Sequence, residues 1–328
     1  ERGQKWRYIP LYEGRDSSGH MRGAPVWCLI NRTMPYVGSV FASFGFNEIA
    51  GYRRQPMLDA IARVTQRLVN GLFLVEGGTT HFAYWPGEKV EFGARVQNLG
   101  AQSADISVNV SCAEAGSSAN RHQSTPTQVL SAHQQSSLRP PLALPTDRPG
   151  VYHVRTELKL QGRVIDHIEH ELTVLDPEPA AADEFISVRG TDFVLKGKAW
   201  YPVGINFWPI YISGMDHPDY WAGWLDRRFY EPALVEKDVR RMADQGINMV
   251  SIQSNHPRFY RNLLDVVRRC RAHGIWVNLY CGLASPLGFR EAELKAFLSA
   301  ARLPQNPTVF AYDTIWEPGN YVFRGTER

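Results

Sequence analysis

The sequence predicts a multidomain chain: an antiparallel β-sandwich, then the first four strands of an α/β barrel of the (β/α)8, or TIM, type, with an α/β remnant ahead of both. Three observations carry this. Apolar residues alternate with a period of two from Val90 to Val174, as half-buried strands require. Beyond Tyr201 the pattern changes, and short apolar runs alternate with helical stripes, which makes a parallel sheet with helices packed on it. The junctions there repeat: Gln245-Gly246-Ile247 and His273-Gly274-Ile275 each end a helix on glycine and restart an apolar strand. Strand starts about 28 to 33 residues apart match the ~250 residues shared among eight units of such a barrel.

Residues 1–78 read as the tail of an upstream α/β domain. Ala24 to Ile30 and Gly38 to Phe46 read as short buried strands. A helix follows, with Pro56 in its first turn, Met57, Ile61, Val64 and Leu68 on one face, and Gly71 beyond its end. Residues 79–176 supply the sandwich, of immunoglobulin-like type: Val90 to Val96, Ile106 to Val110, Tyr152 to Leu160 and Ile168 to Val174 alternate between the turn signals Pro86-Gly87, Asn98-Leu99-Gly100 and Pro149-Gly150. Gly116 to Ser137, rich in Ser and Gln, reads as exposed loop with one short strand. Residues 177–184, with Pro177 and Pro179, form a linker.

The barrel portion spans 185–328. Phe185–Val188 and Phe193–Leu195 form a hairpin, and Tyr201–Asn206 is the first strand. A helix over 233–245, started by Pro232, carries the stripe Val235, Val239 and Met242. Strands over 247–252, 275–280 and 308–316 and helices over 259–273 and 290–301 complete four units. Four units leave both sheet edges unpaired. The chain is therefore expected to be an internal fragment, with the remainder of the barrel in missing C-terminal sequence and the true N-terminus upstream of Glu1.

Composition narrows the function classes. Of 328 residues, 44% are hydrophobic and 21% charged, which is ordinary globular composition rather than that of a disordered chain. A net charge of +3 is too small to point to nucleic acid or a membrane surface as a partner. No apolar run approaches the ~20 residues of a spanning helix. Cys28, Cys112, Cys270 and Cys281 lack the paired spacing of zinc or redox motifs. On a strand, His167 and His170 point to opposite faces and cannot share an ion. No metal and no cofactor are expected.

In a parallel barrel the loops after the C-terminal strand ends converge on one mouth. The sequence places Asn206 and Trp208 after the first strand, Gln253, Asn255 and His256 after the second, Tyr280 after the third, and Trp316 and Glu317 after the fourth. Glu317 stands where an apolar run stops at Pro318-Gly319, which makes it a candidate acid or base. Asp313 lies a layer below, a structural position. The loop after the first strand carries Trp208, Tyr211, Tyr220, Trp221 and Trp224. Flat rings beside polar groups suit sugars, whose C–H faces stack while their hydroxyls seek hydrogen bonds. About half of these rings are expected to pack beneath the loop, with Trp208 the choice for substrate.

A resemblance joins these motifs. Phe193-Val194-Leu195-Lys196-Gly197-Lys198, Val203-Gly204-Ile205-Asn206, Asp238-Val239-Arg240-Arg241-Met242 with Gly246-Ile247-Asn248-Met249-Val250, and Ala311-Tyr312-Asp313 before Glu317-Pro318 together resemble the first half of a clan A glycoside hydrolase, over roughly residues 185 to 320. The clan includes cellulases, mannanases and β-galactosidases. The resemblance implies that Glu317 is the general acid/base of retaining hydrolysis, with a second carboxylate ~5–5.5 Å away as nucleophile. That nucleophile belongs to a seventh strand, so the fragment alone is expected to be inactive. Asn206, Trp208, His256, Tyr280 and Trp316 would line a subsite for a β-linked poly- or oligosaccharide. Three positions depart from the clan pattern: Trp316 stands for the usual Asn, Ser251 for an Arg, and Tyr280-Cys281-Gly282 replaces a His site. His256-Pro257 matches the clan's His-Tyr-Pro without the Tyr. The sandwich is similar to adhesion-like modules of bacterial carbohydrate enzymes. Residues 1–78 are similar to flavodoxin-like amidotransferase-type domains but hold no nucleophile elbow or Cys-His set. The resulting expectation is an extracellular or periplasmic enzyme; the alternative is a non-catalytic, carbohydrate-binding barrel and sandwich.

Overall fold

The computed structural model describes residues 6–32, 34–116, 120–144, 146, 148–177, 180–214, 223–254, 257–285 and 288–315. The chain falls into two compact units. The first holds Glu1–Thr80, Val90–Leu144 and His153–His170; the second holds His81–Lys89, Pro145–Tyr152 and Glu171–Arg328.

The first unit opens with strands β1 (Trp6–Arg15), β2 (Met21–Asn31) and β3 (Val40–Phe44), an antiparallel sheet in that order. Helix α1 (Gln55–Asn70) follows, with Pro56 in its first turn and Gly71 capping its end at φ 64°. A Cβ on Gly71 would stand 2.2 Å from Gly100 N, so only glycine fits where the helix end meets that turn. Strands β4 (Leu72–Thr79), β5 (Ala83–Tyr84), β6 (Phe92–Asn98), β7 (Ala104–Glu114), β8 (Asn120–Ser124), β9 (Gln128–Leu130), β10 (Gln135–Leu138), β11 (Gly150–Leu160) and β12 (Arg163–Val174) follow in the chain, with β5, the start of β11 and the end of β12 counted in the second unit. They form one sheet in the order β10-β6-β4 and another in the order β5-β12-β11-β7-β8, with β9 on β7. Alternation works as the sequence implied: Phe92, Ala94, Val96 and Asn98 of β6 are buried and the residues between them are not. Within the first unit, Gly77 of β4 passes so close to Thr156 of β11 that a Cβ would lie 3.0 Å from the threonine side chain.

Two expectations are corrected here. Residues 1–78 are not an α/β remnant: they hold an antiparallel sheet, one helix and β4, which pairs with β6. Strand β1 escaped notice because its register shifts between Pro10 and Tyr12, Tyr12 and Gly14, and Gly14 and Arg15, which destroys the alternation that marks a strand. The Ser/Gln-rich stretch holds three short strands rather than one. In β8 the described side chains are exposed, so no apolar face announces it.

The second unit contains an antiparallel meander, β13 (Ser187–Arg189), β14 (Asp192–Leu195) and β15 (Lys198–Trp200). Lys196 and Gly197, at φ 50° and 75°, make the tight turn between the last two. Then come β16 (Gly204–Asn206), α2 (Pro232–Asp244), β17 (Met249–Ser254), α3 (Tyr260–Ala272), β18 (Trp276–Cys281), α4 (Glu291–Ala301) and β19 (Val309–Asp313). Strands β16, β17, β18 and β19 form a parallel sheet in chain order. Right-handed crossovers in a monotonic order put every connecting helix on one face. The core agrees: Val235, Val239 and Met242 of α2 and Leu263, Val266 and Val267 of α3 pack with Val250, Ile252, Val277 and Leu279 of the strands. Trp200 of the meander meets Trp276 at 5.7 Å and Phe310 at 5.2 Å, closing the N-terminal end of the sheet with aromatic rings.

Each unit is tied by a buried ion network. In the second, Arg269 donates from Nε to Asp265, from Nη1 to Glu236 and from Nη2 to Glu171 at 2.8, 3.0 and 2.7 Å. In the first, Asp166, 5% exposed, accepts from both Nη atoms of Arg7 at 2.7 and 3.1 Å and from the Leu74 N–H at 2.9 Å, and pairs with Arg67 at 3.0 Å. Burial alone would raise the Asp166 carboxyl; Arg7, Arg67 and the Leu74 amide outweigh it and hold the group below the usual aspartate range. A depressed folded-state pKa stabilises the fold above the unfolded value of ~3.9 and ceases to do so as pH falls through the folded value. We therefore expect Asp166→Ala, which deprives the buried Arg7 and the half-buried Arg67 of their carboxylate, to cost about 3–5 kcal/mol in urea denaturation at pH 7. The gap between variant and wild type should narrow as pH falls below ~4. A gap that is constant with pH would show that the carboxylate charge is not what stabilises this unit.

Candidate functional site

The helix-free face of the parallel sheet has its own sequence logic. Val250 and Ile252 of β17 and Val277, Leu279 and Cys281 of β18 are fully buried on the helix side. Parity therefore turns Ser251 and Gln253, and Asn278 and Tyr280, to the other face. Strand register groups these into rows. Asn206, Ser251, Asn278 and Ala311 form one row. Gln253, Tyr280 and Asp313 form the next, one step nearer the C-terminal ends. The Asn278 amide lies 3.5 Å from the Ser251 hydroxyl, a lateral contact within the lower row.

Of the six residues the sequence singled out, three are described. Asn206 ends β16, is exposed, and belongs to the lower row. Tyr280 is half-buried and belongs to the upper row. They stand on β16 and β18, with β17 between, so at the usual inter-strand spacing their backbones are ~10 Å apart. Trp208, two residues beyond Asn206, is half-buried and packs partly against the hydrophobic core of the unit. His256, Trp316 and Glu317 lie outside the described residues. Asp313, expected one layer below the mouth, shares the upper row, and its Oδ1 accepts the Ile315 N–H at 3.3 Å, bracing the chain where it leaves β19.

The loop after β16 is anchored by neighbours. The Phe207 N–H donates to Ser251 O at 2.9 Å, the Ile210 N–H to Asp238 Oδ2 at 3.1 Å, and the Glu231 N–H to the Tyr211 hydroxyl at 3.1 Å. Trp224 is 1% exposed and stacks edge-on with Phe207 at 5.8 Å, so this ring is core rather than substrate platform. Tyr220 and Trp221 lie outside the described residues. Strand β16 itself is held by two devices. Gly204 admits β17 closely, since a Cβ there would be 2.5 Å from Met249 O. Asn248, just before β17, accepts the Val203 N–H at 2.7 Å and donates to Tyr201 O at 2.9 Å, a side chain standing in for one rung of the ladder.

Electrostatically the described rows are mild. Asp313 is the one carboxylate in the two rows among the described residues. Burial pushes the Cys281 thiol up, so it stays protonated and is no nucleophile at neutral pH. No cluster of three or more potential metal ligands occurs among the described residues, and no described helix is long and apolar enough to cross a membrane. Amides, hydroxyls and half-buried rings of this kind are able to hydrogen-bond and stack with neutral, hydroxyl-rich molecules. Gln253 was passed over in the sequence-based choice of site residues. Its parity with Ser251 could have placed it on the helix-free face of the sheet.

No family model and no curated protein matches the sequence. Solved structures similar to the chain include the GH2 β-galacturonidase of Eisenbergiella tayi bound to galacturonate: 19% identity, TM-score 0.30, 78% of this chain and 44% of that one. Another is the exo-chitosanase of Amycolatopsis orientalis, with 16% identity, TM-score 0.32, 74% of this chain and 28% of that one. A third is the β-glucuronidase of Bacteroides uniformis, with 15% identity, TM-score 0.29, 72% of this chain and 30% of that one. The chain spans less than half the length of each of these proteins.

The Asn248 bridge makes a local prediction. Asn248→Ala should cost about 1–2 kcal/mol in thermal denaturation, the value of two side-chain hydrogen bonds at a part-exposed site. Amide exchange at Ile205 and Asn206 should accelerate while that in β18 stays slow. Equal acceleration in both strands would show that Asn248 supports the sheet as a whole rather than the strand carrying Asn206.

Proposed function

We propose that the parallel sheet is the first half of a (β/α)8 barrel and that the complete protein hydrolyses β-linked glycans with retention, using Glu317 as general acid/base. The observation that carries this reading is the treatment of the two edge strands. Ile205 of β16 and Tyr312 of β19 have the helix-side parity of Val250 and Leu279, yet they are 43% and 42% exposed where the central residues are fully buried. Both edges thus present apolar side chains and unpaired backbone, which is what further strands and helices would cover. The remainder of the barrel is the partner this surface fits. A monotonic strand order, helices on one face and polar rows on the other also suit a barrel better than a doubly wound sheet, which buries apolar residues on both faces.

On this reading Asn206, Trp208, His256, Tyr280 and Trp316 line the substrate subsite at the mouth, and the chain leaving β19 delivers Glu317 four residues beyond Asp313. Glu317 protonates the departing glycosidic oxygen while a carboxylate from the later strands attacks the anomeric carbon; it then removes a proton from the water that releases the sugar. The substrate is a poly- or oligosaccharide, and the protein works outside the cytoplasm. Trp316, where the clan carries Asn, favours a second reading: a barrel and sandwich that bind carbohydrate without cleaving it.

The test is hydrolysis by the full-length protein and its Glu317→Gln variant on β-linked polysaccharides and aryl β-glycosides. We expect Glu317→Gln to lose a factor of roughly 10² or more in kcat, with partial recovery on aryl glycosides whose leaving group needs no proton. Binding of glycans by both proteins with turnover by neither would establish the second reading instead.

A further inference from the structure

Several buried polar atoms of the second unit have no partner, Asn262 Oδ1 and the Trp224 and Trp276 indole N–H groups among them, but of the described residues in the two rows on the helix-free face Gln253 alone carries one. It is 6% exposed, and its Oε1 is buried with no hydrogen-bond partner. Buried polar atoms are nearly always paired, and an unpaired one costs about 1–3 kcal/mol. The residue is also well placed. It sits in the upper row beside Tyr280, with Asp313 next along, at the C-terminal end of β17. Below it, Ser251 and Asn278 approach each other laterally. On its other flank β16 ends at Asn206, opposite Ser251, so the chain segment nearest Gln253 on that side is the one that carries Trp208. An acceptor oxygen beside a tyrosine ring is the complement of a ligand with an apolar face and hydroxyl donors.

Building on the glycan-binding reading above, we infer that Gln253 is a specificity-determining residue, whose amide oxygen accepts a hydrogen bond from one hydroxyl of a neutral pyranoside bound at the C-terminal ends of the sheet. The geometry selects a donor. A sugar carboxylate at that position would set acceptor against acceptor. A deoxy sugar would leave the buried oxygen unpaired, the situation in which polar sites reject ligands most strongly. The unpaired amide also explains itself as a stability sacrifice at a binding site.

The experiment measures dissociation constants by calorimetry for hydrolysis-resistant methyl 1-thio-β-glycosides of glucose, galactose and mannose. The tightest binder is then compared with its 2-, 3-, 4- and 6-deoxy analogues, on full-length wild type, Gln253→Leu and the near-isosteric Gln253→Met. Wild type should bind one deoxy analogue roughly tenfold or more weakly than the parent. In both variants that penalty should collapse, so that parent and analogue bind alike, while the penalties at the other positions persist. Removing an unpaired buried amide should leave Tm unchanged or raise it. If wild type binds glycosides but each variant weakens parent and analogues by the same factor, the inference fails while the glycan reading stands. If no glycoside binds wild type, both fail. Variants that unfold, or melt several degrees lower, would make the amide structural and overturn the inference.

Discussion

The second unit depends on one guanidinium. Arg269 is 1% exposed and would be prohibitively costly to bury alone. Its planar fork reaches Asp265 on its own helix, Glu236 on α2 and Glu171 on β12, so one side chain fixes two helices and a strand against each other. Burial opposes its charge, but Asp265, with Glu171, outweighs that and keeps it protonated. Asp265 needs more than Arg269, and finds it in the Tyr230 hydroxyl at 2.5 Å and the Thr173 hydroxyl at 3.3 Å. Burial beside Asp265 raises the Tyr230 hydroxyl well above its ordinary range, so it remains the donor in that bond. Excess negative charge is met at the margin, where His273 bonds Glu236 at 2.7 Å and Arg268 approaches Asp265 at 3.4 Å. A lysine would carry its three donors on one compact ammonium, without the planar fork that aims Nε, Nη1 and Nη2 at separate carboxylates.

With the helices fixed on one side, the free face of the sheet inherits its geometry. Parallel pairing in chain order makes every second residue of adjacent strands line up, so Gln253, Tyr280 and Asp313 are neighbours through register rather than through any contact of their own. The rows are polar because that face is not covered by the connecting helices. Rigid strands behind short polar side chains hold recognition groups in place at small entropic cost, since the backbone has already been ordered by folding.

What the sequence revealed follows from range. Helices α2, α3 and α4, the glycines that stop the first two, and the stripe Val235, Val239 and Met242 are local patterns, readable within one turn or two. Strand parity in β6, β7, β11 and β12 is equally local. Strand β1 was hidden because bulges interrupt its alternation, and β8 because its side chains are exposed and polar. Asp166 sits on the inward parity of β12, where periodicity expects an apolar residue. Its justification comes from Arg7 and Arg67, far away in sequence. Arg269 finds Glu171 across a similar gap. At the site, the strand ends bearing Asn206 and Tyr280 could be read from the pattern. The pairing that puts Gln253 beside Tyr280, and the absence of a partner for its amide, exist only once the strands are in register.

The polar groups that hold elements of the second unit in place are bonded to backbone or to charged and hydroxyl partners. Asn248 uses both ends of its amide on the backbone of the neighbouring strand, Asp313 spends an oxygen on the next turn, and Asp265 accepts from a ring hydroxyl, a threonine and a guanidinium. Each such bond removes a desolvation penalty from the folded state, and each lies where an element must be held. Gln253 lies among equally ordered strands, and its oxygen is spent on nothing. A fold under selection for stability alone has cheap remedies at such a position, because leucine or methionine fills similar volume without a polar atom. That glutamine stands there, at the end of a strand and beside a tyrosine, is what a surface shaped for recognition, as well as for folding, would retain.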